Sequence, residues 1–350
     1  MVHTITRFTI IQFQTNHIQP QQTDIHLETM IRFLQHDMID TARWDDCISN
    51  AVNGNLVAFS WYLNIVSPGW CALVEGDYES VFPLPVSSRN GIKYMMQPYF
   101  SQQLGLFSRR LLSEEMVAAF LNNIPSEYRY IDINLNSCNR VPNAENISEM
   151  INLELDLSGD YGTISAGYQS NLQRNLKKAS QNKLQISTTV KPEELISLFK
   201  ANKGQDLKHL QNEQYNLIKQ IAGESISKGT GEIWGAYDEN NELAAGILWV
   251  SSHQKAVFLF SALSDTGKKW NAMPWLIDLY IRQHAGKSLI LDFEGSNNPG
   301  LARFYSSFGA KKVTYQRYIH NSLPYPMRLA LKIWRKSRLL LNFYFPLLNH

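Results

Sequence analysis

Two carboxylates stand two residues apart at the end of a short apolar run. Residues 288–293 are almost wholly apolar, which is typical of a strand covered on both faces, and Asp292 and Glu294 lie at its end. On a strand, residues i and i+2 share a face, so both carboxyl groups point one way and Phe293 points the other. Ionised carboxylates are costly to bury unless paired. One of them is a candidate general base; the alternative is that Glu294 only fixes the following loop.

The residues after this strand are candidates for binding. A polar cluster with Ser296 and Asn297 stops the strand, and ligands of open α/β sheets bind where strands end. Residues 301–308 predict a short helix with Tyr305 on its buried face, and Gly309 is placed to end that helix. Residues 312–319 predict a returning strand.

The same order of elements occurs twice. Residues 70–86 predict a hairpin, 92–97 a strand, 114–123 a helix and 130–135 another strand. Residues 232–250, 256–263, 272–284 and 288–293 repeat that order. We infer an internal duplication. In each copy a helical crossover joins the last two strands, which predicts that they are parallel.

Further helices are predicted outside the repeats. They cover residues 24–39, 43–52 and 55–66 before the first copy, and residues 163–179, 192–202 and 212–228 before the second. The helix over 163–179 carries a basic set, Arg174, Lys177 and Lys178.

Composition limits the class of protein. The chain has 350 residues, 44% of them hydrophobic, and a formal net charge of +2. It is long enough for two domains, and its charge argues against a general polyanion binder. The cysteines (Cys47, Cys71 and Cys138) are far apart and lack metal-ligand spacing, which predicts reduced thiols in a cytosolic protein without a metal. Neither a secretory signal nor an apolar spanning segment is evident.

Several strings of the chain resemble one family. DFEGS and RFYSSFGA, preceded by QPYFSQQLG and RNLKKA, are similar to the FemAB-like branch of the GNAT acyltransferase superfamily, and to its BioF2-like tandem-GNAT group. The resemblance implies an α/β fold with mixed sheets in two tandem GNAT-like domains. Residues 1–155 would form a domain with a degenerate site, residues 156–322 a domain with the active cleft, and residues 323–350 a basic amphipathic tail.

The resemblance also implies a place for the cofactor. In GNAT domains the two parallel strands splay apart, and a pantetheine arm pairs with the exposed backbone. The entrance of the crossover helix suits a pyrophosphate. Gly267, Lys268, Lys269 and Asn271 occupy that entrance, although the family signature has a second glycine. A solvated helix entrance is the alternative. The matching loop of the first copy has Gln102 and Gln103 but no adjacent cation.

The activity implied is transfer of an acyl group from acetyl-CoA or another acyl-CoA to a small-molecule or peptide amine. Tyr305 matches the position where many GNAT enzymes keep a tyrosine near the leaving sulfur; the alternative is a packed helix tyrosine. Arg174 and Lys178 match a helix that contacts phosphate or carboxylate of the substrate, or they form a solvated face.

Three alternatives stay open at this point. Charged tRNA is the donor for FemAB-like peptidyltransferases, although the coiled-coil insertion many of them carry is not found here. A non-catalytic binding protein that kept the fold is the second alternative. The basic tail, residues 324–350, is suited to peripheral contact with the inner membrane face or to packing as a terminal helix.

Overall fold

The computed structural model describes residues 30–89, 91–142, 145–206, 212–294 and 297–329. In the first half of the chain the strands are β1 (Ile31–Leu34), β2 (Cys71–Glu75), β3 (Ser80–Leu84), β4 (Val86–Arg89), β5 (Ile92–Met96), β6 (Phe107–Ser108) and β7 (Tyr128–Asn134). The helices of this half are α1 (Thr41–Asn50), α2 (Ser60–Val66) and α3 (Glu114–Asn122).

The second half begins with a long strand and is richer in helices. Its strands are β8 (Ile147–Asp156), β9 (Gln185–Ser187), β10 (Gly231–Tyr237), β11 (Leu243–Ser252), β12 (Lys255–Leu263), β13 (Ile290–Asp292) and β14 (Lys311–Asn321). Its helices are α4 (Tyr161–Ala166), α5 (Ser170–Ala179), α6 (Pro192–Ala201), α7 (Asn212–Ser227), α8 (Asp265–Trp270), α9 (Ala272–His284) and α10 (Pro299–Ser306).

Two sheets organise these strands. The smaller has the order β1-β2-β3-β6, and the larger has the order β4-β5-β7-β14-β8-β13-β12-β11-β10-β9. The last strand, β14, lies between β7 and β8 and is antiparallel to both. The large sheet therefore runs through both halves of the chain, and the boundary predicted between residues 155 and 156 falls at the end of β8 within it.

Both predicted parallel pairs are present. β5 is parallel to β7, with α3 as the crossover, and β12 is parallel to β13, with α8 and α9 as the crossover. In the second half the strand before the pair, β11, is continuous. In the first half the corresponding strand is interrupted at Pro85, so that β3 and β4 belong to different sheets. Proline has no backbone N–H to continue a ladder, which explains the break.

Three predicted helices differ from the structure. The helix predicted over 55–66 is divided at the extended residue Phe59 into a 3-10 turn, Leu56–Ala58, and α2. Within residues 24–39, which are described only from residue 30, Ile31–Leu34 is a strand paired with β2. Its side chains alternate, since Ile31 and Phe33 pack on one core and Leu34 on another. The helix predicted over 163–179 is interrupted between α4 and α5, because the Tyr168 hydroxyl bonds Asp278 at 2.9 Å and the Gln169 N–H bonds the Ser307 carbonyl at 2.9 Å.

The part of the large sheet that β9 to β13 form is covered on both faces. One face packs with α6 and α7 and with residues of the first half in a single core, which includes Trp44, Tyr62 and Phe260. The opposite face packs with α9 and α10 around Trp249 and Phe293. The first half therefore completes the core of the second half, and it also brings its loops to the end of β13.

Candidate functional site

The strands of the second parallel pair separate, as the resemblance implied. β12 and β13 pair only through Lys255↔Ile290, Ala256↔Leu291 and Val257↔Asp292. β12 continues to Leu263, whereas β13 ends at Asp292. Within the described part of the chain, no strand pairs with this edge of β12 beyond Val257. A backbone edge of this kind can take an extended ligand as an added strand.

Asp292 is held in a charged cluster at the point of separation. We define the charged cluster as Asn152, Glu154, Lys255 and Asp292. The buried Asp292 carboxylate accepts a bond of 2.9 Å from Asn152 Nδ2 and one of 3.2 Å from Lys255 Nζ. Lys255 Nζ also lies 2.6 Å from Glu154 Oε1. Although burial alone would lower the pKa of Lys255, the carboxylates of Asp292 and Glu154 raise it. Lys255 is therefore a cation at neutral pH.

Glu294 is fixed by the same cluster. Its backbone N–H donates to Asp292 Oδ1 at 2.8 Å, and its φ is 40°, a value that residues other than glycine seldom adopt. Burial, and then the Asp292 carboxylate, raise the pKa of Glu294 well above its usual value, while Lys255 and the Gln102 peptide N–H oppose the rise. A carboxyl group with a raised pKa is suited to general acid–base catalysis near neutral pH.

Tyr305 lies beside Glu294. Its ring is 3% exposed and stacks on Phe293, with 4.6 Å between ring centroids and 18° between planes. Burial, and then the Glu294 carboxyl, raise the pKa of the Tyr305 hydroxyl. The hydroxyl therefore keeps its proton at neutral pH and can donate it. The structure thus brings Asp292, Glu294 and Tyr305 together. Glu294 is placed as a proton acceptor and Tyr305 as a proton donor, and Asp292 holds the Glu294 backbone.

The corresponding opening in the first half is filled by the chain itself. After β5, Leu104 forms a parallel bridge with Leu135, its N–H donates to Asn134 O at 2.8 Å, and its carbonyl accepts from Asn136 N at 2.7 Å. Residues 97–105 therefore occupy the space between β5 and β7. The same segment packs Phe100 on Phe260 of β12, with ring centroids 6.3 Å apart.

The predicted cofactor residues lie on and after α8. The Gly267 N–H donates to Ser264 Oγ at 2.9 Å, and a Cβ at Gly267 would lie 2.1 Å from the Ala244 carbonyl oxygen. Packing against β11 therefore requires this glycine. Lys268 Nζ is paired with Asp265 at 2.8 Å. Lys269 is exposed, and Asn271 adopts a left-handed conformation with φ of 55° before α9.

The predicted phosphate-binding residues lie near α8. Arg174 and Lys178 are exposed on α5. Asn182 Nδ2 donates to the Lys178 carbonyl at 3.0 Å and to the Trp270 carbonyl at 3.5 Å, so the ends of α5 and α8 are adjacent. We define the basic surface as the cations of these two helices: Arg174, Lys177, Lys178, Lys268 and Lys269. Two residue sets that were predicted separately thus lie near one another.

Of the two remaining predicted site residues, the structure describes Asn297, which follows β13. Asn297 is exposed, and its Oδ1 accepts a bond of 3.3 Å from the Ile151 N–H of β8. Ser296 lies outside the described residues, as do residues 330–350 of the predicted tail. Among the described residues, no helix is both long enough and apolar enough to span a membrane. Cys47, Cys71 and Cys138 are free cysteines.

Sequence reasoning missed most of the charged cluster. Asn152 and Glu154 stand two apart on β8, and Lys255 begins an otherwise apolar strand. Two polar residues on one face of a strand indicate that this face meets a charged group. The sequence does not identify that group, because it depends on β8 lying beside β13, with Asp292 opposite Glu154.

Comparisons with known proteins support the fold. No protein-family model matches the chain, and no curated protein matches it. Among solved structures, FemX matches with a TM-score of 0.58 and 12% identity over 79% of this chain and 96% of FemX. A conserved protein of unknown function from Bacteroides thetaiotaomicron matches with a TM-score of 0.53 and 9% identity, over 83% of this chain and 99% of that one. L-PGS from Bacillus licheniformis matches with a TM-score of 0.51 and 11% identity, over 83% and 95%.

At these identities the likeness concerns the fold alone. The chain has a mixed α/β fold similar to that of FemX, and the mixed α/β fold class predicted from the sequence is confirmed. Because one fold hosts many activities, the function has to be argued from the site.

Proposed function

We propose that this chain is an N-acyltransferase that moves an acyl group from an acyl-CoA-type donor to an amine. The observation that carries the proposal is that Glu294, a carboxyl group of raised pKa, and the protonated Tyr305 hydroxyl, whose ring stacks on Phe293, lie close together where β12 and β13 separate. An acyl transfer needs a base for the amine and an acid for the leaving group, and these two residues supply both.

In the proposed reaction Glu294 accepts the proton of the amine as its nitrogen bonds the acyl carbon. The carbon–sulfur bond then breaks, and the leaving thiolate takes the proton of Tyr305. Transfer of a proton from Glu294 to the tyrosine oxygen restores both groups, so protons balance over one turnover. Asp292, whose oxygens bond Asn152, Lys255 and the Glu294 N–H, would position Glu294 rather than exchange protons.

The donor would extend from β12 to the basic surface. Its pantetheine arm would pair with the edge of β12 beyond Val257, and its phosphates would contact Lys268, Lys269 and the cations of α5. We propose that the first half binds no donor of its own, because residues 97–105 fill its opening. The domain limits at residues 155/156 and 322/323, and membrane contact by residues 324–350, remain predictions.

A second candidate donor is aminoacyl-tRNA, because the contacts of Gly267 and Lys268 make the loop less suited to CoA. The N–H of that glycine already bonds Ser264, and Lys268 already pairs with Asp265. The loop therefore offers fewer free groups to a CoA pyrophosphate than the family signature does. The basic surface would then bind the phosphate backbone of the RNA, with an affinity that falls as salt increases.

Calorimetric titration with acetyl-CoA and with CoA tests the first donor. We expect saturable binding that is lost in the double variant Lys268→Glu/Lys269→Glu and kept in Lys191→Glu/Lys287→Glu, which reverses two exposed lysines outside α5 and α8. If millimolar acetyl-CoA does not bind, the acyl-CoA proposal is wrong. Binding of charged but not uncharged tRNA, steeply dependent on salt, would then establish the second donor.

A further inference from the structure

A buried segment of the first half reaches the proposed catalytic pair. Ser101 and Gln102 are 0% and 2% exposed. The Ser101 carbonyl accepts a bond of 2.7 Å from Gln97 Nε2, and the Gln102 carbonyl accepts one of 2.8 Å from Asn134 Nδ2. The segment is therefore fixed on both sides, by the chain after β5 and by β7. From this position the Gln102 peptide N–H acts on the Glu294 carboxyl group.

The side-chain amide of Gln102 has a defined orientation. The Ser137 N–H donates to Gln103 Oε1 at 2.9 Å, and Gln103 Nε2 donates to Gln102 Oε1 at 2.7 Å. If the oxygen and nitrogen of the Gln102 amide were exchanged, its NH₂ group would face the NH₂ group of Gln103, and two donors cannot bond one another. The chain of bonds therefore leaves Gln102 Nε2 at its end as a donor.

That donor has no hydrogen-bond partner among the described residues, and neither has the hydroxyl of the preceding residue, Ser101. An unsatisfied buried polar group costs about 1–3 kcal/mol, and native proteins carry few of them. A fixed, buried and unpaired donor, on a residue whose peptide N–H acts on a candidate catalytic carboxyl group, is the arrangement expected of a group that bonds a ligand.

Building on the proposed function, we infer that Gln102 is a substrate-binding residue whose side-chain amide donates to a carbonyl or carboxylate oxygen held beside Glu294. The first half would then contribute a specificity group to the active site of the second half. The oxygen belongs either to the acyl group of the donor or to a carboxylate on the amine acceptor.

Gln102→Met tests the inference, since methionine keeps the length of the side chain and removes the donor. Gln103 Nε2 loses its acceptor in this variant, so one unpaired donor replaces another and the melting temperature should stay close to that of the wild type. We expect the affinity for the oxygen-bearing probe to fall about tenfold, the usual weight of one hydrogen bond to a ligand. Gln316→Met is the control, because Gln316 is buried and bonds Val141 at 2.9 and 3.0 Å; it should lower stability without changing affinity.

Two pairs of probes identify the source of the oxygen in the full chain. Acetyl-CoA and CoA differ by the acyl carbonyl, and L-lysine and cadaverine differ by a carboxylate. Gln102→Met should remove the preference of the wild type for acetyl-CoA over CoA, or for L-lysine over cadaverine. Unchanged affinity for all four probes, or a large fall in melting temperature, would overturn the inference while leaving the acyltransferase proposal intact. If the wild type binds no acetyl-CoA, the acyl-CoA function fails, and the inference then stands or falls with the comparison of L-lysine and cadaverine.

Discussion

Asn152 in β8 donates a hydrogen bond of 2.9 Å to the carboxylate of Asp292 at the end of β13, across 140 residues of sequence. The same carboxylate accepts the Glu294 N–H at 2.8 Å and Lys255 Nζ at 3.2 Å. Asp292 thus accepts three hydrogen bonds, from two side chains of neighbouring strands and from the Glu294 backbone, which suits it to holding the site in place. The Glu294 side chain takes no part in these three bonds. Of the two carboxylates singled out by their spacing, the chemistry is therefore assigned to Glu294.

Replacing Glu294 by glutamine should abolish most of the transfer activity. The amide keeps the shape of the side chain but cannot accept the amine proton, and a general base contributes about 10²- to 10⁴-fold to the rate. We expect kcat/KM to fall by at least about 10², measured by thiol release from acetyl-CoA. The wild-type profile should rise with pH through a pKa above the usual glutamate range. Glu213→Gln, an exposed residue of α7, is the control. Activity kept by Glu294→Gln would remove Glu294 from the mechanism.

The same variant should be more stable than the wild type at high pH. Because folding raises the pKa of Glu294, the native state holds a proton that the unfolded state has released, and native stability falls as pH increases above the unfolded pKa. The loss is up to about 1.4 kcal/mol per pH unit until the folded pKa is passed. Urea unfolding at pH 4 and pH 8 measures it. We expect Glu294→Gln to gain stability over the wild type only at pH 8; an equal difference at both pH values contradicts the raised pKa.

Removing Lys255 should destabilise the protein by about 3 kcal/mol, the lower end of the range for breaking a buried ion pair. Lys255→Met leaves two carboxylates without their cation, and the side chains of Lys255, Glu154 and Asp292 are only 28%, 18% and 6% exposed. Lys93→Met is the matched control, because Lys93 and Glu127 form an ion pair that is about half exposed; it should cost at most about 1 kcal/mol. If urea unfolding gave the same loss of stability for Lys255→Met and Lys93→Met, the charged cluster would be effectively solvated.

Gly267→Ala should destabilise the chain by about 2 kcal/mol, as overpacking does. The added Cβ would meet the Ala244 carbonyl oxygen at 2.1 Å, and that oxygen is fixed because it accepts the Ser264 N–H at 2.9 Å. Gly223→Ala, in α7 with no atom within 4 Å of the added Cβ, should instead stabilise the helix by about 0.5–1 kcal/mol. Unfolding measurements that gave the same sign for both would show that α8 can move away from β11.

The sequence predicted features that depend on residues close together along the chain, and it missed contacts between residues far apart. Local patterns predicted both parallel pairs, the helix that carries Tyr305, and Asp292 at the end of a strand. The prediction that Glu294 shares that strand was wrong, because β13 ends at Asp292 and Glu294 has a φ of 40°. The partners of Asp292 were missed because the neighbours of a strand depend on sheet order. β14 enters the large sheet between β7 and β8, a placement that no local pattern encodes. The helix predicted over residues 24–39 was wrong because pairing with β2 outweighs local propensity in Ile31–Leu34.

Tyr305→Phe separates the role of the hydroxyl from that of the ring. The stack on Phe293, at 4.6 Å, needs only the ring, so the variant should fold with an unchanged melting temperature. Its kcat should fall about 10²-fold because the leaving thiolate loses its proton donor.

Tyr168→Phe is the control with the opposite expectation. The Tyr168 hydroxyl bonds the buried Asp278 at 2.9 Å, so its loss leaves a buried carboxylate with one donor fewer and should lower stability by about 1–3 kcal/mol without changing the pH profile. Wild-type kcat in Tyr305→Phe would mean that water or the acceptor itself protonates the leaving group. Glu294 would then be the only group of the proposed pair that acts in the transfer.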